Sequence, residues 1–96
     1  MDFNSDKNKT WLEDQSGRQA AYIEYPEVRP GVVNITHTVV DPSLSGQGIA
    51  GKLTKAVADK LRKEGKKAEL TCSYAISWFS KHPEYSDVLA CREADE

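Results

Sequence analysis

The stretch Ser45-Gly46-Gln47-Gly48-Ile49-Ala50-Gly51-Lys52 decides how this chain is read. A β-branched run, Val32 to Val40 (VVNITHTVV), leads into it, and a periodic apolar pattern leads out. Glycine adopts backbone conformations that other residues avoid, and the first N–H groups of a helix have no partner inside it. A glycine-rich turn between a strand and a helix start is therefore a place where proteins hold phosphates.

The flanking segments define the architecture. Downstream, Ile49, Leu53, Ala56, Val57 and Leu61 recur at helical spacing, which predicts a helix over Gly48 to Glu64. Lys52, Lys55, Asp59, Lys60, Lys63 and Glu64 fall largely on its solvated side, and Gly65 marks its end. Lys67 to Cys72 reads as a short strand, so strand–helix–strand implies a parallel crossover. Ser73 to His82 is a second helix, burying Ala75, Ile76, Phe79 and Trp78 and closed by Pro83. Upstream, Val32 to Val40 reads as one strand, with Val33, Ile35, His37 and Val39 on one face. Pro26 to Gly31 (PEVRPG) reads as a loop, because its prolines and glycine interrupt a strand. Arg18 to Tyr25 and Lys9 to Asp14 form an antiparallel hairpin, with Trp11 expected to point inward. Residues 1–8 and 90–96 read as loose ends, the first with the option of a short edge strand. The fold class expected is α+β, α/β-like at the crossover: a mixed sheet with an antiparallel meander, one parallel βαβ unit and two helices, in a single domain over residues 1–96.

Composition narrows the partners. A chain of 96 residues with 39% hydrophobic and 29% charged residues is globular, with a thin core that a bound ligand or a second copy can reinforce. Monomer and homodimer are both open. A net charge of −2 and the lack of a basic face interleaved with aromatics argue against nucleic acid. No apolar run is long enough for a membrane span, and the N-terminus lacks a signal-peptide core. A cytoplasmic location is expected, with Cys72 and Cys91 reduced there. Two cysteines without ligand spacing make no metal site.

Three phosphate-binding patterns overlap on the glycine stretch. Gly46-x-Gly48-x-x-Gly51 fits the dinucleotide fingerprint, but Asp41 to Ser45 separate it from its strand and the next strand ends Thr71-Cys72, without a ribose-binding acid. Gly46-x-x-x-x-Gly51-Lys52 approaches a P-loop, but Leu53 stands where a magnesium-binding hydroxyl is required. The third pattern is an acyl-CoA pyrophosphate loop. Gly48 and Ala50 match the last two fixed positions of the Arg/Gln-x-x-Gly-x-Gly/Ala signature, and the chain resembles the GNAT N-acetyltransferase superfamily, in particular its very small single-domain members. Four segments carry the resemblance: Thr36-His37-Thr38-Val39-Val40, Ser45 to Ala50, Leu70 to Ala75, and His82-Pro83-Glu84-Tyr85.

The resemblance implies a GNAT-like fold, acetyl-CoA or CoA as cosubstrate, and an amine acceptor that the sequence does not identify. It places the pantetheine arm beside Thr38, Val39 and Val40 and the pyrophosphate over Ser45, Gly46, Gln47, Gly48, Ile49, Ala50 and Gly51, with Ser73 and His82 as further contacts. Two departures stand out. Ser45 replaces a long polar side chain, and Val39 stands where relatives often carry a glutamate that relays the amine proton. Three residues are candidates for the chemistry. Cys72, at a strand end and before a helix start that lowers a thiol's pKa, either accepts the acetyl group or contacts the thioester sulfur. Against this stands a half-buried packing cysteine. His37 is a base near neutral pH or a core histidine. Tyr74 protonates the leaving thiolate or packs. His82 also reads as a C-terminal cap. The competing function is a CoA-binding sensor or interaction module without transfer.

Overall fold

The computed structural model describes residues 3–44 and 46–90. Strands β1 (Asn4–Ser5), β2 (Lys9–Glu13) and β3 (Gln19–Glu24) form the antiparallel meander, followed by β4 (Glu27–Arg29), β5 (Val32–Ile35) and β6 (His37–Val40). A 3-10 turn, Pro42–Leu44, leads toward helix α1 (Ile49–Glu64). Strand β7 (Lys67–Leu70), helix α2 (Ser73–Lys81) and a second 3-10 turn, Pro83–Val88, complete the order. The strands align as β1-β2-β3-β6 and as β4-β5-β7. β5 and β7 are parallel and α1 connects them, so the expected mixed α+β architecture with one βαβ crossover is present.

The Val32 to Val40 run is not one strand, and this correction shapes the site. It breaks at Thr36, where β5 leaves off and β6 begins pairing with β3. The two sheets are halves of one bent sheet, because the Asn34 N–H donates to Pro26 O and the Thr36 N–H to Glu24 O across the bend. From Val33 to His37 the run takes one step more than its partner takes from Glu24 to Glu27, which is a β-bulge. An extra residue reverses which side chains face inward. Val33 and Ile35 are buried, whereas His37 and Val39 are exposed and Val40 packs against the core. The alternation read from the sequence therefore holds only up to the bulge.

Three further expectations are corrected. Trp11 faces outward; Thr10 is the buried residue, its hydroxyl 2.7 Å from Tyr25 Oη, and Leu12 packs against the core. Glu27–Arg29 forms a strand between the two prolines; as an edge strand paired only with β5 it needs no donor from Pro26 or Pro30. Ile76 is half exposed, because α2 is short and turns only Ala75, Trp78 and Phe79 inward.

Helix α1 lies on β3 and β6 and contributes Ile49, Leu53, Val57, Ala58 and Leu61 to the core. Burying a leucine or isoleucine this fully contributes about 2 kcal/mol. Its end is fixed by Gly65 at φ 73°, whose N–H donates to Arg62 O while that of Lys66 donates to Leu61 O. The second 3-10 turn docks on α1: Tyr85 Oη donates to Asp59 at 2.7 Å, and Arg62 reaches both Asp87 and Glu84 O. Residues 91–96, including Cys91, and the first two residues lie outside the described residues, so the expected loose ends there are not addressed.

Candidate functional site

The glycine stretch forms a turn with two left-handed residues, Gly46 at φ 83° and Gly48 at φ 70°. Gly48 is the N-cap of α1, and among the described residues no side chain caps the helix and no acidic residue occupies its first turn. The first helical bond runs from the Lys52 N–H to Gly48 O. The N–H groups before Lys52 thus lack an acceptor within the helix and carry its positive dipole end. Gly51 lies beneath α2: a Cβ there would be in contact with Tyr74 Oη at 3.4 Å and Trp78 Nε1 at 3.6 Å, so α2 crosses close over the first turn of α1. A cleft of about 300 Å³ opens at this point, bordered by Val40, Leu44, Gly46, Gly48, Ile49, Ala50, Gly51 and Tyr74. Gln47 is exposed in the turn, its N–H 3.4 Å from Leu44 O. Ser45 lies outside the described residues.

Deeper in, the sheet parts. The N–H groups of Thr71 and Cys72 both turn to Ile35 O, at 3.2 and 3.1 Å, and β7 pairs no further. From Thr36 onward β6 has β3 on one side and a gap on the other. The Asp41 N–H donates to Ala20 O on the β3 side; by antiparallel alternation the backbone groups of Thr38 and Val40 point into the gap.

Cys72 stands at the mouth of this gap as the N-cap of α2. Its thiol donates to Thr38 Oγ1 at 3.6 Å. Burial raises the thiol's pKa, but N–H groups of Ala75, Tyr74 and Thr38 and the Thr38 hydroxyl outweigh it, so the net shift is downward. Tyr74, which borders the cleft, is held above the ordinary phenol value by burial and stays protonated at neutral pH. It presents its hydroxyl over Gly51. Ser73, the first residue of α2, is exposed.

Two expected site residues lie elsewhere. His37, at the start of β6, is exposed on the outer face and borders a separate depression with Glu24 and Thr36. His82 closes α2: its Nδ1 donates to Trp78 O at 2.8 Å, and its ring stacks on Trp78 with centroids 4.0 Å apart. That is the cap geometry foreseen as its alternative reading.

The sequence reading passed over Leu44, Asp41 and Glu24. Leu44 borders the cleft. Asp41 fixes the turn leading to it, accepting from the Ser43 N–H at 2.9 Å and from Arg18 Nη2 at 2.8 Å. These bonds hold its carboxyl at about 2. The Asp-Pro-Ser signal was available for Asp41, since a carboxylate before Pro commonly bonds the backbone two residues on. Glu24 comes within 3.6 Å of His37 only because of the bulge. Among the described residues there is no cluster of three metal-ligating side chains and no helix long and apolar enough to cross a membrane.

Comparison with known proteins bears on the family. The family model of the GCN5-related N-acetyltransferases matches residues 9–88. Protein NATD1 of Mus musculus and of Homo sapiens is 36% identical over 63 residues, 66% of this chain. The chain spans only 57% and 56% of the lengths of those curated relatives. The solution structure of a GCN5-like protein from Staphylococcus aureus superposes with a TM-score of 0.77 at 34% identity, covering 96% of this chain and 90% of that one. The Escherichia coli GNAT family N-acetyltransferase YhbS, in complex with CoA, shares the fold at a TM-score of 0.61 and 18% identity, over 81% of this chain and 44% of its own. The family model covers all but the two ends, from β2 through the 3-10 turn that docks on α1, and on that ground the chain belongs to the GCN5-related N-acetyltransferase family.

Proposed function

We propose that the chain binds acetyl-CoA at the glycine turn and transfers the acetyl group to an amine. The observation that carries this is the uncapped start of α1, with Gly46 and Gly48 left-handed, opening beside the gap between β6 and Cys72. An anion and an extended chain leading away from it match those two features in order. The first-turn N–H groups from Gly48 to Gly51, aided by Ser45 and Gln47, receive the pyrophosphate. Thr38 and Val40 offer backbone hydrogen bonds to the amides of the pantetheine arm, with Val39 between them, while Ser73 flanks its course. That a protein of the same fold holds CoA supports the assignment.

Transfer needs a neutral amine, a polarised carbonyl and a proton for the departing sulfur. His37 is the candidate base and Tyr74 the candidate acid, its proton retained at neutral pH. Cys72 is the candidate acetyl acceptor on the way to the amine, or the neighbour of the thioester sulfur; its lowered pKa favours the first. The second reading, CoA binding without transfer, is favoured by Val39, which cannot relay a proton. Two assays test these readings. CoA at millimolar concentration raises the melting temperature if the site is real, and no shift removes both readings. Release of free thiol from acetyl-CoA on adding an amine panel supports transfer; a melting shift without release leaves CoA binding alone. A cytoplasmic setting and a single GNAT-like domain over residues 1–96 complete the proposal.

A further inference from the structure

Gly51 is the third residue of α1, and the fold does not require a glycine there. It is not among the left-handed glycines, and a Cβ on it would meet its neighbours at ordinary contact distance. Alanine is the better helix former, so glycine at this position costs stability. What the glycine keeps open is a methyl-sized space at the first turn of α1. Two groups of α2 bound that space, Tyr74 Oη and Trp78 Nε1. Gly51 and Tyr74 also border the cleft at the glycine turn. Trp78 is only 7% exposed, yet its indole N–H has no acceptor among the described residues, whereas that of Trp11 donates to Glu13 at 3.0 Å. No unpartnered side-chain nitrogen or oxygen is sealed from solvent among those residues. The Trp78 N–H therefore keeps an opening, and the space over Gly51 lies against it. The ring is held in place, with His82 stacked on it at 4.0 Å and Phe79 meeting it edge-on at 5.0 Å. A fixed, almost buried donor without a partner marks a place where something else binds.

We infer that the space over Gly51 seats one oxygen of the cosubstrate's diphosphate, and that the Trp78 indole N–H donates to it. This rests on the CoA reading above. The first-turn N–H groups of α1 hold the diphosphate from one side and the indole from the other, so α2 is the second wall of the anion site. The indole stands in for the long polar side chain that Ser45 replaces. The Tyr74 hydroxyl bounds the same space and serves the same oxygen, which takes it out of the acid role considered for it.

The test follows the two indole N–H signals of the isotopically labelled protein by NMR during titration with CoA, Trp11→Phe assigning them. The Trp78 signal is expected to move downfield, as a donor does on meeting an anion, while that of Trp11 stays still. Pantetheine, which lacks the diphosphate, is expected to leave both still. A Trp78 signal that pantetheine moves as far as CoA does overturns the inference. So does a Trp78 signal that stays still while CoA shifts the main-chain signals of Gly46 to Gly51, in which case the CoA reading stands without it. No shift anywhere at millimolar CoA removes both. Gly51→Ala gives a second readout, because it fills the seat without straining the helix. The melting temperature of the unliganded variant is expected to rise by about 4 °C. Its Kd for CoA is expected to rise about tenfold, the worth of a hydrogen bond to a charged group. Higher stability with weaker binding cannot come from lost folding. Wild-type affinity for CoA in Gly51→Ala overturns the seat.

Discussion

Cys72 is the side chain on which the proposed chemistry turns. Its sulfur faces the Thr38 hydroxyl and the N–H groups opening α2, and their combined pull overcomes burial to lower the thiol's pKa. Alkylation by iodoacetamide, measured against pH, is expected to rise with a midpoint below that of a free thiol, and Thr38→Val is expected to move it upward. If Cys72 carries the acetyl group, Cys72→Ala abolishes turnover and mass spectrometry of the wild type traps an acetylated Cys72. Full turnover by Cys72→Ala with no trapped species removes the nucleophile and leaves a packing cysteine. This residue was legible in the sequence, since a strand end followed by a helix start is visible there. His37 was less so. Strict alternation places it with Val33 and Ile35, and the extra residue at the bulge turns it to the outer face beside Glu24. No local sequence signal marks a bulge made by Thr36, a residue equally at home in a regular strand.

Among the elements, α1 was read most fully, because both of its ends are glycines and its apolar period is strong. Those two glycines allow a controlled comparison. Gly48 at φ 70° and Gly65 at φ 73° are equally left-handed, and a Cβ at either meets nothing. Alanine at either position is expected to cost about 1 kcal/mol of stability from backbone strain alone, read by denaturant unfolding. Only Gly48→Ala is expected to weaken CoA binding as well, by displacing the first-turn N–H groups; Gly65→Ala keeps the thermal shift. Equal loss of the CoA response in both variants argues against the glycine turn as the anion site. The turn preceding α1 depends on Asp41. Its folded pKa of about 2 lies below the ordinary 3.8, so the carboxylate's contribution is complete above about 3.8 and is lost as pH falls toward 2. Acid unfolding of Asp41→Asn is expected to be less steep in that window. The edge strand β4 escaped the reading, because prolines on both sides mask a pairing that an edge position permits.

At the scale of the molecule, two half-sheets joined at a bulge leave a gap, and the helix that crosses between them starts at the gap's mouth. The sequence carried the order of these parts and the glycine turn; it did not carry the bend, which follows from pairing between residues far apart in the chain. A core this thin, shared by one bent sheet, two helices and a 3-10 turn, makes the protein's stability responsive to a bound ligand. Ligand at a hundredfold excess over its Kd adds about 2.7 kcal/mol, which for a domain of this size corresponds to a melting shift of about 10–20 °C. The most direct test of the CoA site is an amide NMR titration of the isotopically labelled protein with CoA. The largest shifts are predicted at Gly46 to Gly51 and at Thr38 to Val40, with Cys72 and Tyr74 next and Lys9, Glu24 and His37 on the outer face nearly still. Shifts centred on any other surface, or none at millimolar CoA, contradict the assignment of the glycine turn as the cosubstrate's anchor.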